Sequence, residues 1–407
     1  MQTRSKSRQP YFDRLPIELI CMICNFLTPK ELRLFGATCK YFYYFLYGHY
    51  PIYVRFPCLE KLCPKALIID RELEIIPSFS NNITHIVVNS KNTINLSFLI
   101  LFNCLTHLKL RKFNGSIAFQ PLVHLTHLEF GSYFDQNIDA LHPLVHLTHL
   151  EFGSYFNQNI DVLQYLTCLT YLKFGYYFNQ TIDALQYLTR LTHLKFGYNF
   201  NQDIDALQYV TRLTHLEFRH YFNRSIDVLR YLTCLVYLEC GGDDFNQKID
   251  GLKSLNLTRL KFGYRFNQPI DSFRYLTRLT HLEFGDEFNR DIDTLKYLTR
   301  LTHLEFGHEF NQDINTLKYL TRLTHLKFGD SFKRSIRSLQ GLPITHLKFG
   351  NRFKRSICSL QGLPISHFTF GDRFDMFSLE NRNVIKSWSN LVELRDSTNH
   401  LISLPLK

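Results

Sequence analysis

Long apolar runs are missing from this 407-residue sequence: no segment approaches the ~18 uncharged residues of a membrane-crossing helix, so no membrane association is expected. A signal-peptide pattern is missing as well, because MQTRSKSRQP is basic and polar and YFDRLPIELI carries charges within its apolar run. The ten Cys keep no framework spacing, and the chain is far longer than the small secreted domains that depend on disulfides. A reducing compartment is expected, the cytoplasm first and the nucleus second.

Motifs for chemistry are equally scarce. There is no Gly-rich phosphate loop, no nucleophile elbow and no paired-carboxylate motif. Cys21-Met22-Ile23-Cys24 has CxxC spacing, but without a second pair or a βαβ context it reads as core packing. No catalytic residue, metal site or cofactor is expected, and the chain is not expected to be an enzyme. The formal charge of +11 permits attraction to acidic surfaces without specifying a partner.

Large side chains are abundant instead, with 37 Phe and 23 Tyr. Near the N-terminus three short helical patterns follow one another. Pro16 suits a first helical turn, and Leu19, Ile20, Ile23, Phe26 and Leu27 then recur at helical spacing. Thr28-Pro29-Lys30-Glu31 is a capping box that opens a second helix carrying Leu32, Leu34 and Phe35, which Gly36 ends. Cys39, Phe42, Phe45 and Leu46 supply a third apolar face. So few residues cannot bury a robust core, so part of this surface is expected to meet a partner; alternatively it is the core of a small helical cap on the rest of the chain.

The string Leu15-Pro16-x-Glu18-Leu19-Ile20, with Ile23, Phe26-Leu27, Leu32 and Cys39-Lys40-x-Phe42, resembles the F-box, although Tyr and Phe replace its usual tryptophan-like aromatic after the Cys-Lys step. The resemblance implies docking on the Skp-type adaptor of a cullin ubiquitin ligase through Leu15, Pro16, Leu19, Ile20, Ile23 and Leu27.

From Leu125 to Leu323 the string L-T-H-L-(E/K)-F-G returns every 22 residues, and degenerate copies extend it to Ile83 upstream and Ile365 downstream. With Leu191 as position 1, apolar residues fall at Leu191, Leu194, Phe196, Phe200, Ile204, Leu207 and Val210. Alternation in the first part predicts a short strand, and Ile-x-x-Leu-x-x-(Leu/Val) predicts a 3₁₀ or short helical turn. One such coil cannot bury its own apolar face, so coils must stack. The expected fold is an α/β solenoid, a leucine-rich-repeat-like parallel β array preceded by a small three-helix F-box. Its divisions are a basic N-terminus (1–10), the F-box (11–50), a linker and capping region (51–82), the repeats (83–375) and a C-terminal cap (376–407) that holds the only Trp, Trp388.

Segments such as Phe156-Asn157-Gln158-Asn159-Ile160 and Phe178-Asn179-Gln180-Thr181-Ile182 resemble FNIP repeats, known chiefly from social amoebae and from large DNA viruses of amoebae. The resemblance implies an F-box plus FNIP protein that presents targets to a ligase, in host cytoplasm if viral. The alternative is a non-catalytic scaffold that sequesters host proteins without ubiquitin chemistry.

Three further expectations concern single positions. Asp after the Ile of most coils caps the adjoining turn. Asn after the Phe sits near the surface rather than in a buried ladder, because Lys333 and Lys354 occupy that place later. The stretch between Cys240 and Leu257, one residue longer before its Phe and one shorter after its Ile, leaves a kink or bulge.

Target contact is expected on the strand face and its rim. Position 3 is a line of His that includes His149, His193 and His215; it binds metal, senses pH or forms a solvated polar ladder. Position 5 is charged, with like signs mostly in pairs flanked by the opposite sign, as in Glu151, Lys173, Lys195 and Glu217, which either sets register with a partner or is an ordinary mixed-charge face. Position 9 carries Tyr133, Tyr155, Tyr177 and Tyr221, a contact rim or a self-packed stack. On the opposite side Arg274 with Arg278, Lys296 with Arg300 and Lys318 with Arg322 form a basic row. Interleaved aromatic platforms are not evident there, so nucleic acid is not an expected partner. The expected state is a monomeric subunit of a hetero-complex.

Overall fold

The computed structural model describes residues 52–53, 66–69, 83–89, 99, 102–115 and 122–402. The three predicted N-terminal helices, the six adaptor-binding residues and the Cys21–Cys24 pair lie outside the described residues. The chain divides into two compact units, Met1–Phe156 and Asn157–Lys407.

In the first unit the strand Ile52–Tyr53 pairs antiparallel with Ala66–Ile69, which pairs parallel with His85–Val88. Strands at His107, His127 and His149 continue in parallel, each aligning its position 3 with that of the strand before. In the second unit parallel strands begin at Tyr171, His193, His215, Tyr237, Arg259, His281, His303, His325, His346, His367 and Glu393. The alternation predicted from the sequence is present: in His303–Glu305 the Leu304 side chain is buried and its two neighbours are half-buried.

In the coils from Leu125 to Ile344 the second half is a 3₁₀ turn, such as Asp293–Tyr297. Its apolar residues stand three apart because each closes an i→i+3 bond: Leu295 N–H donates to Ile292 O, Leu298 N–H to Leu295 O and Leu301 N–H to Leu298 O. The helical half of the coil is thus 3₁₀ rather than α, and the α-helix Leu379–Ser387 belongs to the C-terminal segment. Trp388, which caps that helix, is buried; its Nε1–H donates to Leu360 O at 3.1 Å and its ring meets Phe368 edge-on.

In most coils the core joins the two Phe of positions 6 and 10, with Val88, Leu110 and Cys240 at position 6 of the others. Phe284 and Phe288 stack at 3.8 Å within one coil, and Phe288 lies 6.1 Å from Phe266 and 6.2 Å from Phe310 in the coils on either side.

Three expectations need correction. The Asp after each Ile does not cap the turn: the N-cap is the Ile itself, without a side-chain bond, and Asp is the first residue inside. There its carboxylate suits the positive end of the turn, and Asp250 and Asp271 pair with Lys253 and Arg274 three residues on. The Asn after the Phe is near the surface as expected, at the later end above all, but it does form a ladder. Asn157 Oδ1 accepts the N–H of Asn179 at 2.9 Å and Asn179 Oδ1 that of Asn201 at 2.9 Å, half-buried rather than enclosed. Finally, the stretch between Cys240 and Leu257 leaves no bulge in the strands, for Tyr237–Cys240 pairs residue for residue with Arg259–Phe262. The extra residue lies in the Gly241–Asp244 turn and the missing one after the 3₁₀ turn Asp250–Ser254, where Leu255 becomes extended.

Candidate protein-binding face

On the strand face, positions 3 and 5 point away from the Phe core, so each forms a column along the parallel strands. In the second unit His281, His303, His325, His346 and His367 stack ring on ring at 4.0–4.1 Å, with planes 9–15° apart. The residue before each fixes its ring: Thr302 Oγ1 lies 3.0 Å from Thr280 O and 2.8 Å from His303 Nδ1. A carbonyl only accepts, so when the hydroxyl donates to it, Nδ1 carries the proton and Nε2 is left as the free acceptor. A second pair, His193 and His215, stacks at 4.3 Å. In the first unit His85, His107, His127 and His149 stack at 3.9–4.1 Å. Among the described residues, no group of three or more His, Cys, Asp or Glu is placed to hold a metal ion.

Burial, followed by the charge of neighbouring imidazoles, pushes His303 and His325 below their ordinary value of 6.5 and His107 to about 4. The folded state therefore favours neutral rings, and its advantage is complete above 6.5 and lost as pH falls from 6.5 toward the lowered values. Carboxylates such as Glu393, held low by Arg395, lose their contribution only in more acidic solution. The urea midpoint is expected to fall between about pH 7.5 and about pH 5, and to fall less in His303→Asn/His325→Asn. An identical pH slope in the variant would remove the column from the account.

Position 5 forms ion pairs where its sign changes. Lys195 meets Glu217 at 2.8 Å and Lys261 meets Glu283 at 3.0 Å, while Lys327 contacts Glu305. Burial opposes the charge on Lys261, but the Glu283 carboxylate outweighs it and holds the ammonium above its usual range. Glu217, 8% exposed, also receives Arg219 at 3.6 Å. From Glu239 on, position 5 lines a groove of about 590 Å³ within the second unit, reaching to Ser397.

Position 8, which the sequence reading passed over in favour of position 9, is the more ordered column beside the strands. Tyr176 stacks on Tyr198 at 4.5 Å, Tyr198 on His220 at 3.9 Å, and His220 contacts Asp243. Further along, His308 stands between Asp286 at 4.0 Å and Asp330 at 3.3 Å. The signal was available in the string Tyr176, Tyr198, His220 at one fixed offset.

The predicted contact residues divide between the units. Tyr133, Tyr155, His149 and Glu151 are in the first, where the two Tyr rings are exposed and stack at 5.8 Å. Tyr177, Tyr221, Lys173, Lys195, Glu217, His193 and His215 are in the second, where Tyr177 and Tyr221 turn edge-on to Tyr176 and His220, both at 4.7 Å. The groove lies on later coils than these.

An internalin of Listeria monocytogenes is similar over 70% of this chain and 85% of its own, with 24% identity and a TM-score of 0.58. CroV588, a circular leucine-rich-repeat protein, is similar over 81% of this chain and 51% of its own, with 34% identity and a TM-score of 0.59. The repeats have the leucine-rich-repeat fold. A leucine-rich-repeat protein of Leptospira interrogans, 13% identical with a TM-score of 0.52, shares it over 80% of this chain and 94% of its own. Residues 12–50 match the F-box domain. No curated protein sequence matches the chain. Among the described residues no helix is long and apolar enough to cross a membrane.

Proposed function

We propose that the chain is a substrate-recognition subunit of an SCF-type ubiquitin ligase, a non-enzymatic adaptor whose F-box docks on a Skp-type protein while the repeats hold a target. The observation that carries this reading is the F-box match at residues 12–50 joined, in one chain, to a stack of leucine-rich coils. In it, 11–50 is the docking module, 51–82 a linker and cap, 83–375 the recognition array and 376–407 the terminal cap. Leu15, Pro16, Leu19, Ile20, Ile23 and Leu27 meet the adaptor. The target meets the strand face through its His and Glu/Lys columns and the tyrosine rim at Tyr133, Tyr155, Tyr177 and Tyr221. The FNIP-like Phe-Asn-Gln segments support a place beside the F-box proteins of amoebae and their large viruses, working in the cytoplasm of the host. Catalysis is then proximity: the target's lysines are held near a separate conjugating enzyme.

Leu15→Asp/Ile23→Asp is expected to abolish co-purification with a Skp-type adaptor while the circular dichroism of the repeats is unchanged. Retention of the adaptor by the variant, or its absence from wild-type complexes, would favour a sequestering scaffold instead.

A further inference from the structure

The basic row on the 3₁₀ side of the second unit contains the aromatic platforms that the sequence reading did not see there. Arg274, Lys296 and Lys318 each precede an exposed tyrosine, Tyr275, Tyr297 and Tyr319, with rings 45–55% accessible. Three residues after each ring comes an exposed arginine, Arg278, Arg300 and Arg322. The turns that carry them, Asp271–Tyr275, Asp293–Tyr297 and Asn315–Tyr319, pack side by side, so the triplets form one column.

We infer that this column binds single-stranded nucleic acid. Of its six cations only Arg274 has a carboxylate within ion-pair distance, Asp271 at 3.7 Å. Asp291, Asp293 and Asp313 lie close in sequence, whereas the next two coils carry Arg337 and Arg355, with no carboxylate between Lys333 and Arg337 or between Lys354 and Cys358, although Glu380 reaches Ser356 at 3.2 Å. The Lys296 and Lys318 ammonium groups stand 5.3 and 5.1 Å over the rings of Tyr297 and Tyr319, a cation beside each ring. Among the described residues these three rings stack on no other ring and no cation stands over Tyr275, while at Tyr297 and Tyr319 a base would stack on the face opposite the lysine.

Periodicity separates this ligand from an acidic protein. The same set, one ring and two cations, recurs in three successive coils, and a row that repeats fits a ligand that repeats. A phosphodiester strand offers one base and one charge per unit, whereas a folded protein offers an irregular surface. Base stacking on such rings is indifferent to sequence, and phosphate contacts give strong salt dependence. In the earlier coils Tyr187 and Tyr209 follow Gln186 and Gln208, so half of the charge is absent there.

The test is fluorescence anisotropy of labelled oligo-dT and oligo-U of about 20 nucleotides with the full chain at several salt concentrations. Tyr275→Ala/Tyr297→Ala/Tyr319→Ala is expected to weaken binding by about tenfold or more, and the matching Phe variant to keep it. Arg278→Ser/Arg300→Ser/Arg322→Ser is expected to weaken binding and to flatten the salt slope by about two. Tyr187→Ala/Tyr209→Ala is expected to change nothing. The inference is overturned by no binding, by equal losses at Tyr187 and Tyr209, or by binding that ignores the tyrosines and is displaced equally by polyglutamate, which marks an acidic protein site. Circular dichroism of each variant secures the comparison, and none of these outcomes depends on the adaptor.

Discussion

Phe288→Ala is expected to cost about 3–5 kcal/mol, read as the shift of the urea midpoint multiplied by the slope. The ring is fully buried and stacked at 3.8 Å on Phe284, so the variant loses both the burial of a large apolar side chain and a favourable ring pair. No side chain can collapse into the space, because the rings of Phe266 and Phe310 on either side are held by their own in-coil partners, Phe262 and Phe306 at 3.8 Å. Since each coil touches only its neighbours, the loss also weakens the two interfaces that Phe288 shares, and the transition is expected to broaden or split. Tyr297→Ala, which removes an exposed ring in the same coil, is expected within about 0.5 kcal/mol of wild type. Similar costs for the two would show that the Phe columns do not hold the stack.

The sequence makes the coil legible because its two periods are physical. Alternation at His303-Leu304-Glu305 follows from the pleat of a strand, and the three-residue spacing of Ile292, Leu295 and Leu298 follows from i→i+3 bonding. What it missed depends on neighbours 22 residues away. Lys333 at an Asn position argues against a ladder only if every rung needs an Asn. Each rung in fact needs a side-chain oxygen from one coil and only a backbone N–H from the next, so Lys333 serves as well as any residue by donating to Asn311 Oδ1 at 3.1 Å. The kink or bulge expected after Cys240 stays out of the strands, since both length changes fall in turns and Leu255 becomes extended. Asp293 reads as a cap from its residue type, but which residue caps is decided by local backbone angles, and these place Ile292 there.

The binding face was legible to a similar depth. Columns at positions 3 and 5 follow from alternation alone, whereas their stacking and pairing depend on how closely the strands approach. Position 8 repeats in sequence as Tyr176, Tyr198 and His220, but the turn after Gly has no period to show which side chain faces the strands. In the basic row, Tyr275, Tyr297 and Tyr319 count by residue type with the apolar residues of their turns. Only their neighbours, the buried Phe273, Leu295 and Leu317, fill the core side.

Glycine at position 7 is part of the repeating string, and the geometry turns it into the second large prediction. Gly285→Ala is expected to destabilise the chain by about 3 kcal/mol, the upper range for overpacking, although only one methyl is added. A Cβ there would lie 1.7 Å from Gly263 O in the coil before, and one on Gly307 would lie 2.2 Å from Gly285 O. The obstacle is backbone, which cannot turn aside as a side chain can. Accommodation must lengthen the bonds that hold this turn to its neighbours, from Glu287 N–H to Tyr264 O and from Phe284 N–H to Glu305 O, both 2.9 Å. Arg111 and Arg219 occupy the same place in two coils, and the strands there, such as His107–Leu110 and His215–Phe218, run four residues rather than three. Gly242 in the coil after Arg219 would place its Cβ at a looser 2.8 Å from Arg219 O. Gly341→Ala is the contrast: its φ of +78° penalises any side chain, but nothing lies within 4 Å, so its cost is expected at about 1–2 kcal/mol. A midpoint shift at Gly285 no larger than that at Gly341 would mean that successive coils pack less closely at this column than their backbone distances require.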